Sequence, residues 1–305
     1  MIQAEGLIRE FGAVRALDGL SLSVSRGEIF GLVGPDGAGK TTVLRVLAGI
    51  LRPDGGTARV AGFDAVREPR RVQDRIGYMS QRFGLYADLT VQENLAFYAD
   101  LYGVGKSERE ERAGRLLGFS GLAPFRRRAA GDLSGGMKQK LGLACALIHT
   151  PEVLLLDEPT NGVDPVSRRD FWRILYGLQK EGVTLLVSTA YLDEAERCDR
   201  VGLMHRGKLV ASGAPPALRA RMPGALLEVR TAETRRAAAT LREARPSWTV
   251  ALFGDRLHAA VPDATSGGAE LESLLRARGV AFASVRAIPP SLEDLFLALL
   301  KEGAA

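Results

Sequence analysis

Cysteine is scarce in this sequence, and so are long apolar runs and blocks of one charge. The 305 residues include two cysteines, Cys145 and Cys198. They have no metal-ligand spacing, which excludes a thiolate metal cluster and fits reduced, packing thiols in a cytosolic protein. Apolar runs such as Leu141 to Ile148 and Val183 to Val187 fall far short of the ~20 residues that span a bilayer, and no signal-peptide core opens the chain. Any membrane role is therefore expected to be peripheral. The net charge is +5 and the pI is near 9.4, but the arginines are scattered, with Arg126-Arg127-Arg128 as the one cluster. That basicity reads as a solvated surface and not as a nucleic-acid footprint. A composition of 46% hydrophobic and 25% charged residues at this length supports a well-buried core and more than one domain.

The strongest positive signal is Gly34-Pro35-Asp36-Gly37-Ala38-Gly39-Lys40-Thr41-Thr42, directly after the apolar run Ile29 to Val33. Gly, four residues, then Gly-Lys-Thr is the spacing of a phosphate-binding loop. Glycines let backbone N–H groups wrap phosphate oxygens, Lys40 supplies a point charge, and the Thr41 hydroxyl is placed for Mg²⁺. Val43 to Ile50 is apolar at helical spacing, so the loop opens a helix whose positive end faces the anion.

A second block, Val153-Leu154-Leu155-Leu156-Asp157-Glu158-Pro159, reads as a strand buried on both faces with two acids at its C-terminal end, where open α/β sheets bind ligands. Asp157 is placed to reach Mg²⁺ through water, and Glu158 to orient or deprotonate an attacking water. Two acids after a strand otherwise serve as a helix cap. Gln81, after the short strand Ile76 to Ser80, is a candidate ligand for metal or water. A third block, Leu133 to Lys140, opens another helix: Ser134 is a good N-cap, and Gly135-Gly136 leave its N-terminus bare for a phosphate. Two such helix starts mean either two bound phosphates or sites shared across a dimer.

Residues 2 to 24 alternate as in a hairpin-rich antiparallel sheet. Within them Phe11 is either a purine-stacking ring or a plain core Phe. From Phe83 to Phe125 the pattern turns helical, with Thr90 and Glu93 spaced as a capping box. The aromatic loop Arg82-Phe83-Gly84-Leu85-Tyr86 marks either a partner surface or a buried anchor. After Pro215-Pro216 the composition shifts, and strand, helix, two strands, helix, strand follow in the ferredoxin-like β-α-β-β-α-β order. His258, in one of those strands, reads as a packing or surface residue.

Taken together, these blocks resemble the ATP-binding cassette (ABC) family of transporter ATPases over about residues 2 to 220. The resemblance implies an α/β P-loop NTPase cassette: a mixed sheet core with an antiparallel β subdomain and a helical subdomain at about residues 83–145. A small α+β accessory domain of the ferredoxin-like kind is expected over residues 221–305. By resemblance Phe11 stacks on adenine, Gly34 to Thr42 is the Walker A loop, and Gln81 is the Q-loop glutamine. Leu133 to Gln139 resembles the LSGGQ-type signature, with Met137 in place of the first glutamine. Asp157 and Glu158 match Walker B and the catalytic glutamate, and Asn161-Gly162-Val163-Asp164 resembles the D-loop. ATP and Mg²⁺ are the implied cofactors. A second cassette, in a homo- or heterodimer whose signatures cap each other's ATP, and an integral membrane permease are the implied partners. Their place is the cytoplasmic face of the cell membrane.

Two departures stand out. Asp36 puts an acid where the family usually has Asn, beside the phosphates. Ala190 stands where the family normally carries the histidine that contacts γ-phosphate and attacking water. The expected result is a degenerate site that holds ATP and hydrolyses it slowly, while the chain lends its signature to a partner. Asp36, Met137 and Ala190 together resemble the first of two unequal cassettes in some ABC-2 type exporters. The function that follows is an ATPase subunit powering a drug or small-molecule exporter. The alternatives are a soluble ABC-superfamily ATPase acting on ribosomes or nucleic acid, and a nucleotide-gated subunit without turnover. The soluble class usually fuses two cassettes or inserts a long coiled coil, and neither is visible here.

Overall fold

The unbroken apolar runs become strands with no exposed face: every residue of Ile29–Val33, Val153–Asp157 and Thr184–Thr189 is buried. The computed structural model describes residues 1–81 and 84–302. Arg82 and Phe83 of the aromatic loop lie outside the described residues. In chain order the first elements are β1 (Ile2–Phe11), β2 (Val14–Val24), β3 (Ile29–Val33), α1 (Lys40–Leu47), β4 (Gly55–Val60), β5 (Phe63–Asp64), α2 (Pro69–Gln73) and β6 (Ile76–Met79). There follow α3 (Val91–Leu101), α4 (Lys106–Ser120), α5 (Gly135–Leu147), β7 (Val153–Asp157), α6 (Pro165–Lys180), β8 (Thr184–Thr189), α7 (Leu192–Ala195), β9 (Arg200–His205) and β10 (Lys208–Gly213). The last are α8 (Pro215–Arg219), β11 (Ala225–Arg230), α9 (Thr234–Ala244), β12 (Thr249–Phe253), β13 (Arg256–Val261), α10 (Ala264–Ala277), β14 (Ser284–Ile288) and α11 (Leu292–Glu302).

The chain divides into Met1–Leu209 and Val210–Ala305. The division comes before the composition shift at Pro215-Pro216 because those prolines open α8, which packs against α11 in the second unit. The first unit holds the strands β9-β3-β8-β7-β6 of a sheet whose order is β10-β9-β3-β8-β7-β6, and these carry the buried runs. Its four pairings from β9 to β6 are parallel. A second sheet, β2-β1-β4-β5, is antiparallel, as the alternation in residues 2–24 predicts. Between the two sheets, Val43, Leu44 and Leu47 of α1 share one core with Leu7, Leu155 and Leu186. One core thus fixes the phosphate-loop helix to both sheets.

Helices α3 to α5 form the inserted helical region. At its start Thr90 Oγ1 accepts from Glu93 N–H at 3.2 Å, and Glu93 Oε2 accepts from Thr90 N–H at 2.8 Å, closing the capping box. Cys145 in α5 and Cys198 are buried and free. Burial pushes both thiols up, so they stay neutral and pack as small apolar groups.

The second unit has a four-stranded antiparallel sheet of order β12-β13-β11-β14. Leu227, Val229, Leu257 and Ala259 face α9 and α10 through Ala238, Leu241, Leu271 and Leu275. The alternate residues Glu228 and His258 are register partners and face the other side. There His258 Nδ1 lies 2.8 Å from Asp294 Oδ1 of α11, so the histidine is a largely buried member of a polar cluster. Burial pushes the Glu228 carboxyl up, but Arg256, Arg286 and Arg230 outweigh it and hold that carboxyl down to about 2.

Helix α5 sits so close to β6 that Gly77 has no room for a side chain. A Cβ there would lie 2.5 Å from the Ala146 carbonyl oxygen and 2.6 Å from Leu154 Cδ2. Gly77→Ala is expected to destabilise the first unit by about 1–3 kcal/mol, the usual range for an overpacked core. Urea unfolding read against wild type checks this.

Candidate functional site

β3 ends at a loop whose path only glycine permits. At Gly34 a Cβ would lie 2.2 Å from the Met204 carbonyl oxygen, and at Gly39 it would lie 2.4 Å from that of Ala16. Gly39 also has φ 104°, in the left-handed region. The helix that follows starts at Lys40 behind this glycine cap, with no side-chain acceptor and no acid in its first turn. Its leading N–H groups are thus left to an anion.

Lys40 is almost fully buried and is held in place by the loop. Its Nζ donates to Gly34 O at 2.7 Å and Pro35 O at 3.0 Å, and lies 3.1 Å from Glu158 Oε1. The other oxygen of Glu158 accepts from Gln81 Nε2 at 3.1 Å and Asn161 Nδ2 at 3.3 Å. Three separated segments therefore converge on one carboxylate. Glu158 itself has φ 49°, uncommon for a non-glycine residue. Its N–H donates to Ser188 O at 3.1 Å and to Ser188 Oγ at 3.0 Å, and these two bonds hold the strained turn.

Asp157 is 1% exposed and directly opposite Ser188 in the β7–β8 register. Ser188 Oγ donates to Asp157 Oδ1 at 2.7 Å. Asp157 Oδ2 is buried without a protein partner, which fits an acceptor for the water shell of a cation. Among the described residues no three or more His, Cys, Asp or Glu gather into a cage. Mg²⁺ characteristically takes one or two protein oxygens with phosphates and waters instead, and Thr41, Gln81 and Asp157 suit that pattern.

Phe11, Asp36, Gly37, Gly39, Lys40, Thr41, Thr42, Gln81 and Glu158 line one cleft of about 380 Å³ together with Ala16. Gly34 and Ala38 of the loop, and Asp157, are buried and do not line the cleft. Phe11 is 48% exposed with the Arg9 guanidinium 4.7 Å from its ring centre, so it is not a core ring. Asp36 is exposed and among the described residues makes no ion pair.

Ser134, Gly135 and Gly136 do not line this cleft. Ser134 caps α5 by accepting from Met137 N–H at 3.3 Å, and it and Gly135 are exposed. Gly136 is buried: a Cβ there would lie 2.6 Å from both Cβ and Oγ of Ser167 on α6. Helix packing therefore demands Gly136, a reason that the glycine pair alone does not reveal. Asp164 caps α6, accepting from Val166 and Ser167 N–H at 3.1 and 2.9 Å.

Ala190 is exposed at the bend after β8 and contributes only a methyl group. Around it Glu194, with no exposure, accepts from Thr160 Oγ1 at 2.6 Å and Thr189 Oγ1 at 2.9 Å, with Arg168 Nε 3.5 Å away. Tyr191 OH donates to Asn161 Oδ1 at 3.4 Å. Sequence reading missed Ser188, Glu194, Thr160 and Arg168. Their signal is strand register and tertiary contact, which no local spacing carries.

A glycine loop between a buried parallel strand and a bare helix start, with acids at the end of the next strand but one, defines a P-loop nucleotide-binding protein. The ABC transporter family model matches residues 17–161. The daunorubicin/doxorubicin resistance ATP-binding protein DrrA of Streptomyces peucetius is 38% identical over 303 residues, covering 98% of this chain and 92% of that protein. The chain belongs to the ATP-binding proteins of the ABC transporter family. The probable multidrug ABC transporter ATP-binding protein YbhF of Escherichia coli (strain K12) is 52% identical over 226 residues, 73% of this chain, and this chain spans 39% of its length. A solved ATP-binding subunit of an ABC transporter matches with TM-score 0.66 and 29% identity over 72% of this chain and 92% of that one. A dimeric ATP-binding cassette bound to ADP and Pi matches with TM-score 0.64 and 25% identity over 70% and 98%.

Lys40→Met removes the cation at the centre of the cleft. It is expected to weaken binding of Mg·ATP by about tenfold or more, the usual scale of a lost charge-assisted contact. Titration with a fluorescent ATP analogue checks this, with circular dichroism as the folding control.

Proposed function

We propose that this chain is an ATP-hydrolysing subunit that powers an ABC exporter of drugs or other small molecules, together with an integral membrane permease and a second cassette. The observation that carries this reading is the convergence of Lys40, Gln81 and Asn161 on Glu158. In this assignment Gly34, Asp36, Gly37, Ala38, Gly39, Lys40, Thr41 and Thr42 cradle the phosphates and Phe11 stacks on adenine. Thr41 and Gln81 ligate Mg²⁺, with Asp157 acting through water. Bound Mg²⁺ would neutralise phosphate charge. Glu158 orients the attacking water, and Ser134, Gly135 and Gly136 cap the nucleotide of the second cassette.

The export reading draws support from DrrA and YbhF, named for drug resistance and multidrug transport. The membrane path is assigned to a separate permease, with this chain peripheral on its cytoplasmic side; among the described residues no helix is long and apolar enough to cross a membrane. Tyr86, Phe97 and Leu101 are exposed near Gln81 in sequence and on α3, and they supply an apolar face for that permease. The second unit reads as a ferredoxin-like accessory domain, supported by its β-α-β-β-α-β order and its strand order β12-β13-β11-β14. Its proposed task is to steady the dimer.

Ala190 supplies no hydrogen bond for γ-phosphate or water, so the chain's own site is assigned slow turnover. The purified chain alone is expected to bind ATP and to release phosphate well below the tens per second of an ordinary enzyme. Ala190→His is expected to raise that rate, and Glu158→Gln to abolish what remains. Turnover of tens per second by the unaccompanied wild type would overturn the slow-site reading, and recovery of the chain with ribosomes instead of membranes would overturn the transport reading.

A further inference from the structure

A cavity of about 420 Å³ lies wholly within the second unit. It is built on the sheet face opposite α9 and α10. Thr249 and Ala260, cross-strand partners on β12 and β13, form its floor. Pro246, Trp248 and Pro262 supply apolar walls, and Ala298 and Lys301, three residues apart on α11, close one side. The room comes from small residues. At Gly224 a Cβ would lie 2.1 Å from the Val261 carbonyl oxygen, so that wall also stays bare. The volume falls within the roughly 300–1,000 Å³ of small-molecule sites.

One cation, Lys301, lines this cavity, and Arg242 lies near enough to act on its charge. Lys301 Nζ donates to the Trp248 carbonyl oxygen, which engages one of its three donors. Arg242 donates to Val250 O through Nε at 3.2 Å and Nη2 at 2.7 Å. Among the described residues neither forms an ion pair with a carboxylate. Burial, and secondly the charge of Arg242, push the Lys301 pKa down, as expected where positive charge lacks a counterion. A group with several negative charges would need several donors and would not suit walls of proline, alanine and tryptophan. A single negative charge at the rim of a flat apolar body meets both conditions.

We propose that this pocket binds an amphiphilic organic anion, with an apolar aromatic body against Pro246, Trp248 and Pro262 and one sulfonate- or carboxylate-type group at Lys301. The inference rests on the second unit alone and stands apart from the transport reading.

The test uses the full chain with saturating Mg·ATP, titrated with 8-anilino-1-naphthalenesulfonate while tryptophan emission is followed. The expected result is saturable quenching at one molecule per chain. Lys301→Met is expected to weaken the affinity by about tenfold or more, the usual scale of a lost hydrogen bond to a charged group. Ala260→Phe fills the cavity and is expected to remove the quenching. N-phenyl-1-naphthylamine, a similar body without the sulfonate, is expected to bind at least about tenfold more weakly on the same ground. Unchanged affinity in Lys301→Met overturns the proposal, as does equal binding of the neutral amine. Quenching that survives in a folded Ala260→Phe overturns it too. Should Ala260→Phe fail to fold, by circular dichroism and ATP affinity, Lys301→Met and the neutral amine decide the matter.

Discussion

The ion pair between Lys40 and Glu158 is the interaction that holds the nucleotide cleft together. Both groups are taken largely out of water at 3.1 Å, and such a pair is tolerable only where further hydrogen bonds satisfy each partner. Here those bonds come from everywhere the site needs to be joined. Gly34 and Pro35 hold the ammonium, while Gln81 and Asn161 hold the carboxylate. Removing either charge would leave the other buried alone. The pair thus ties the start of α1, the end of β7 and the second residue after β6 into one unit, with Ser188 fixing the backbone beneath it.

Much of this was legible in the sequence because the strongest constraints there are local. A phosphate loop needs glycines at fixed offsets, a strand buried on both faces is apolar without interruption, and a capping box closes over three residues; so β3, β7, β8 and the Thr90–Glu93 box fell where their patterns put them. What stayed hidden depends on who faces whom. Ser188 matters because β7 and β8 pair in a register that sets it against Asp157. Glu194 matters because Thr160, Thr189 and Arg168 reach it from three places. Gly136 carried a signal, but an ambiguous one, since a bare helix end and a close helix contact both ask for glycine.

The second unit shows the same contrast in a different balance. Its element order was readable from alternation and turns, whereas its inner polar face was not. Nothing in the spacing of Glu228, Arg230, Arg256, His258, Arg286 and Asp294 announces that they meet. They do so because β11 is flanked by β13 and β14 and because α11 crosses the face that α9 and α10 leave open. The sheet is therefore apolar on one side and ionic on the other, and only toward Ala260 and Ala298 does the second side become bare enough to admit a guest.

The seat of Gly136 on Ser167 has a mechanical meaning. Ser167 lies in the first turn of α6, whose cap Asp164 follows Asn161 by three residues, and Asn161 grips Glu158. The start of α5 thus meets α6 in hard contact, with no slack for a side chain to absorb. A side chain added at Gly136 would press on Ser167 and, through the turn that Asp164 caps, on the segment that carries Asn161.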